Sequence, residues 1–99
     1  MTTHSLLTIP VLVGAEDAFV AAFHRLGVFA HAAEVPEFLG GEPLRPQDGG
    51  SSFVVHARWA SHAGYQAWLD APVRATLTAE IDGLVGGAMT NALYDEVAT

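Results

Sequence analysis

Tyr65 and Trp68 stand three residues apart in a segment of helical character, so their rings share one stripe. Such a pair can wall a pocket and orient a flat aromatic ligand. Trp68 serves there either as a pocket wall or as plain helix-to-sheet packing, and the Tyr65 hydroxyl aims either at a ligand or at water. His56 has the ring chemistry of a general base near neutral pH and alternates with Val54 and Arg58 on one strand face. A polar contact across a subunit interface is its simpler role. Arg58 and Arg74 can each bind a carboxylate or an enolate; the simpler roles pair Arg58 with an acid and leave Arg74 in solvent near a helix start. Asn91 lies in an apolar strand, where an amide must find partners and can serve a developing oxyanion. Phe23 adds a further ring from an earlier helix.

Other chemistries find no support. Cysteine is absent, which removes disulfides, a thiolate nucleophile and thiolate metal ligation. The five histidines are never paired three or four apart on one helix, so no metal motif is present. Gly40-Gly41 and Gly49-Gly50 are turn glycines, and no serine sits in a nucleophile elbow. Eleven acidic against four basic residues give a net charge of −7, which repels phosphate backbones and argues against nucleic-acid binding. No apolar run approaches the roughly 20 residues that span a bilayer. The opening Met1-Thr2-Thr3-His4-Ser5 lacks the features of a signal peptide, so a cytoplasmic protein is expected.

Ninety-nine residues make one domain, 1–99, because two would each lack a sufficient core. The chain is 51% hydrophobic and only 15% charged, little charge for the large surface of a small domain. A partner subunit covering part of that surface would account for the shortage.

The elements that must position these residues follow from periodicity. Residues 6–13 read as a strand apolar on both faces, with a bulge or an outward-facing position at Pro10. Residues 15–32 read as a helix with Phe19, Ala22, Phe23, Leu26, Phe29 and Ala30 on one face, its last turns weakened by Gly27. Short strands are predicted at 38–45 and 52–59, separated by the turn Pro46-Gln47-Asp48-Gly49-Gly50. Trp59, at a strand end, anchors the core. Ser61 caps a helix to about Leu69, Pro72 opens another through Leu77 and Ile81, and a strand closes the chain over 88–97. The order βαββαβ is the ferredoxin-like α+β plan, an antiparallel sheet with helices on one face. A second copy covering the open face, sheet against sheet, gives a two-fold homodimer.

Arg58-Trp59-Ala60-Ser61 followed by Tyr65, Trp68 and Pro72 to Leu77 resembles the strand-to-helix signature of the antibiotic biosynthesis monooxygenase (ABM) superfamily. Pro36-Glu37-Phe38-Leu39-Gly40 is similar to that family's turn into its second strand, with Glu37 in place of a common glycine. Leu93-Tyr94-Asp95-Glu96-Val97 is similar to its closing strand. The resemblance implies a dimeric barrel with a pocket between the helices and sheet of each subunit. It implies oxygenation of an aromatic polyketide-type substrate to a quinone without metal or flavin, with molecular oxygen as co-substrate; some members use reduced flavin instead.

On that reading Trp68 matches the pocket tryptophan, Phe23 and Tyr65 help hold the rings, and His56 or Asn91 handles the proton or the oxyanion. The chain departs from the pattern where quinone-forming members carry asparagines: Gly64 stands four residues before Trp68, and Leu7 and Thr8 stand on the first strand. Thr78 occupies the place of the histidine that haem-degrading members use, which argues against a haem role. A non-catalytic ligand-binding protein and a polyketide cyclase or aromatase are the alternatives on the same scaffold.

Overall fold

Alternation with period two builds the sheet. β1 (Thr3–Pro10), β2 (Phe38–Leu44), β3 (Ser52–Trp59) and β4 (Thr90–Asp95) lie antiparallel in the order β2-β3-β1-β4 in a computed structural model that describes residues 1–98. Register sets Ser5 opposite Ala57 and Leu93, and Leu7 opposite Val55 and Asn91. The odd-numbered residues of β1, β3 and β4 therefore share one face of the sheet, and His4, Leu6, Val54, His56, Arg58 and Tyr94 share the other.

The helices lie on the odd-numbered face. They are α1 (Glu16–Leu26), α2 (Val28–Ala32), α3 (His62–Asp70) and α4 (Pro72–Ile81), the last running into a 3₁₀ turn at Asp82–Leu84. This is the ferredoxin-like α+β fold, and the sheet of one chain is open. Ser61 caps α3, its Oγ accepting the Gly64 N–H at 3.2 Å, and Pro72 opens α4 where a missing N–H costs nothing. Two apolar clusters fill the space between helices and sheet. Ile9, Val11, Phe19, Phe23 and Phe53 form one, and Ala32, Ala57, Trp59 and Tyr65 form the other.

Three predicted elements move. The first strand begins at Thr3, because Thr3 and Ser5 are buried by their parity even though both are polar. It ends at Pro10, which has no N–H to extend the ladder. The bulge lies in β2 instead, between Phe38 and Gly40. The long helix over 15–32 is two helices, because Gly27 adopts a left-handed conformation (φ 61°) and closes α1. The break turns Ala30 outward and buries Ala32, while Phe29 still faces the core. The last strand is shorter than residues 88–97, since its partner β1 offers a register only from Thr8 back to Thr3.

Candidate active site

A cavity of about 450 Å³ lies between the sheet and the helices, lined by members of both apolar clusters. Its size falls in the range of small-molecule sites. β1 supplies Ser5, Leu7 and Ile9, β3 supplies Val55, Ala57 and Trp59, and β4 supplies Asn91. From the helices come Phe23, Phe29, Tyr65, Trp68, Arg74, Leu77 and Thr78. Aromatic rings stand among aliphatic side chains in the walls. Trp59 stacks on Trp68 with centroids 6.5 Å apart and meets Tyr65 edge-on at 6.1 Å, and Phe23 meets Phe29 edge-on at 5.3 Å. Trp68 is half-buried, so its indole walls a void and is not wedged in solid packing; nor is the cavity sealed from water on that side.

Few polar groups reach the cavity. The Trp59 indole N–H donates to Ser5 Oγ at 3.1 Å, so the indole is satisfied inside the core. The Thr78 hydroxyl donates back to the Arg74 carbonyl at 2.9 Å. Tyr65 is 6% exposed, and its hydroxyl oxygen accepts a hydrogen bond from the Asn91 amide. A phenolic oxygen that accepts from an amide keeps its own O–H free to donate. Asn91 is not the buried amide that its strand suggested: it is exposed on the edge strand β4, at the rim of the cavity. Arg74 is the only charged residue of the lining among the described residues.

The structure brings five of the expected residues together, Trp68, Tyr65, Phe23, Asn91 and Arg74, and separates two. His56 and Arg58 lie on the opposite face of the sheet, because β3 alternates and Trp59 and Phe53 hold the inner parity. An acid–base role for His56 in this cavity, and a substrate contact for Arg58, are therefore corrected. His56 Nε2 lies 2.8 Å from His4 Nδ1, and its Nδ1 lies 3.1 Å from Glu42. Arg58 pairs with the same carboxylate at 3.0 Å. Burial works against the charge on Glu42, but the bonds from Arg58 and His56 outweigh it and hold the carboxyl below its usual range. The Ser5–Trp59 bond went unread in the sequence; a polar residue at an inward strand position opposite a tryptophan was its signal.

The sequence profile of the antibiotic biosynthesis monooxygenase family matches residues 4–77. The chain belongs to that family. No curated protein is similar enough in sequence to count as a relative. Solved structures share the architecture. SnoaB, a cofactor-independent oxygenase from Streptomyces nogalater, is 23% identical with a TM-score of 0.82, over 99% of this chain and 95% of that one. Rv0793 from Mycobacterium tuberculosis is 11% identical with a TM-score of 0.80, over 100% of this chain and 98% of its own. A conserved protein from Methanosarcina mazei Go1 retains a TM-score of 0.83 at 5% identity, over 98% of this chain and 94% of its own.

Two departures from the ABM pattern meet in space. A Cβ on Gly64 would lie 2.4 Å from the Cβ of Glu37, an atom that cannot swing aside. Where the family pattern has a glycine in the turn and an asparagine on the helix, this chain exchanges bulk between the same two positions. Gly64 is buried and does not line the cavity, so the helix at that point meets Glu37 and not a ligand.

Proposed function

We propose that this ABM-family protein is a cofactor-independent monooxygenase that converts an aromatic, polyketide-type substrate to a quinone. The observation that carries the reading is the Tyr65–Asn91 pair, a hydroxyl donor held ready inside an aromatic-walled cavity. Trp68 and Phe23 orient the rings. An anthrone-type carbon loses a proton, and the oxyanion of the resulting enolate accepts the Tyr65 O–H. The anion passes one electron to molecular oxygen, and the radical and superoxide join through a new C–O bond. The peroxide so formed takes up a proton and loses water to leave a carbonyl. One oxygen atom enters the product, and the other leaves as water with both hydrogens of the reacting carbon. No carboxylate or imidazole lines the cavity among the described residues, so the first proton passes to water at the unsealed wall.

Two copies pair through the open sheet face in the cytoplasm. Leu6, Val54 and the exposed Leu44 on that face support this assembly, which sedimentation at micromolar concentration tests. The lack of a base in the cavity favours one second reading, a protein that binds the same ligand without turning it over. Oxygen uptake with an anthrone separates the two. Uptake matched by product that has gained one oxygen and lost two hydrogens supports the oxygenase; tight binding with neither change supports the binding protein; and water loss without oxygen uptake marks a cyclase.

A further inference from the structure

Among the described residues the only charged one that lines the cavity is a cation, Arg74, with no carboxylate to balance it. The chain has four basic residues against eleven acidic ones, so an unpaired arginine is the exception to explain. Arg45 is paired with Asp17 at 3.0 Å, and Arg58 with Glu42. Arg25 is exposed in the last turn of α1, where the helix dipole favours a cation. Arg74 has no such account. It is half-buried, lines an otherwise uncharged cavity, and has no carboxylate partner among the described residues. It also sits in the first turn of α4, where the dipole opposes positive charge, so helix stability does not explain it. The neighbouring polar groups leave it free, since Thr78 bonds the α4 backbone and Tyr65 bonds Asn91.

We infer that Arg74 is the anchor for a carboxylate on the substrate, so that the site takes aromatic acids and discriminates against their neutral counterparts. A guanidinium presents a planar fork of donors that matches a carboxylate, and the pair is strongest where water is partly excluded. Half-burial suits a permanent anion, whose remaining lone pairs stay hydrated at the unsealed side. The buried Tyr65 hydroxyl, a neutral donor, is left for oxyanion character that develops only during reaction. The two polar elements thus divide the work: the cation fixes which molecule enters and which way round, and the hydroxyl acts on the reacting end. The inference rests on the cavity being the substrate site.

Binding of anthraquinone-2-carboxylate and of its carboxamide, followed by tryptophan fluorescence and calorimetry, tests it. The carboxylate binds the wild-type protein more tightly than the amide by about ten- to hundredfold, the worth of one charge-assisted pair. Arg74→Gln removes that preference and leaves amide affinity as it was, and Arg74→Lys restores part of it because charge returns without the fork. Circular dichroism verifies that both variants are folded. Equal binding of the two ligands to wild type, or a carboxylate preference that survives in Arg74→Gln, overturns the anchor while leaving the cavity as the site. Binding of neither ligand overturns both.

Discussion

The two faces of the sheet handle polar residues in opposite ways. On the open face they satisfy one another. Glu42 can only accept, so the hydrogen on His56 Nδ1 points to it, which leaves His56 Nε2 to accept from His4 Nδ1 at 2.8 Å. Arg58 closes the row on Glu42, and Glu96 lies 3.6 Å from the far nitrogen of His4. On the helix face polar capacity is left over: the Tyr65 O–H and the Arg74 guanidinium have no acceptor among the described residues. A residue's chemistry is thus a poor guide to its role until its partners are counted. The histidine that looks most like a base is engaged on the wrong side of the sheet, and the groups free to act are a tyrosine and an arginine.

Trp59 and Trp68 sharpen the contrast within the helix face itself. Trp59 is 1% exposed and bonded to Ser5, whereas Trp68 is half-buried beside the void. Trp59→Ala is expected to destabilise by about 3–5 kcal/mol, at roughly 4–8 °C in Tm for each kcal/mol in a domain this small. Trp68→Ala removes less buried area, about 1–2 kcal/mol, and acts chiefly on ligand binding. Thermal melts alongside a binding titration decide the matter. If both variants unfold alike, the second indole is a packing residue and the pocket-wall role is lost.

The separation of the faces is tested next by activity. Tyr65→Phe removes a donor made ready for the oxyanion and lowers kcat by about a hundredfold. Its stability changes by less than about 1 kcal/mol, since Asn91 at the exposed edge takes water instead. His56→Ala changes kcat by no more than about twofold, some 0.4 kcal/mol. Steady-state oxygen consumption with both variants gives the comparison, and equal losses would mean that the open face takes part in turnover after all.

Most of the fold was legible because period and punctuation agreed: Phe53, Val55, Ala57 and Trp59 alternate, Ser61 caps, and Pro72 restarts the helix. The same alternation placed His56 apart from Trp59, but did not by itself say which face held the cavity. Asn91 and Tyr65 are 26 residues apart, and their meeting depends on β4 pairing with β1, which no local pattern states. Backbone geometry hid the break at Gly27, since the apolar stripe runs through it as far as Phe29. Glu37 and Gly64 each read as a departure from the pattern, and only contact between the turn and α3 joins them.

That joint departure predicts a reversal of sign. Gly64→Asn alone drives a side chain into the Glu37 Cβ and costs about 1–3 kcal/mol. Adding Glu37→Gly clears the space, so the double variant is more stable than Gly64→Asn even though the new glycine loosens the turn. Urea unfolding of the four proteins yields a coupling of about 0.5–3 kcal/mol. Additive losses would show that the two positions are independent, and the helix face would then have room at residue 64 that the open contact denies.

The smallest expected effect is on the open face. The carboxyl of Glu42 is held below its usual range, so its folded value is lower than its unfolded one near 4.5. Such a group contributes stability that is fully present above the unfolded value and disappears as pH falls through the folded one. Acid below about pH 4.5 should therefore weaken the row of Glu42, His56 and Arg58. The side chain of Glu42 is 44% exposed, so water and salt screen the pair and the contribution is no more than about 1 kcal/mol. Glu42→Gln should shrink the loss of stability between pH 6 and pH 3 by that amount, and added salt should shrink it in the wild type too. An unchanged acid slope in the variant would mean that the row is held by the sheet and does not itself hold the sheet.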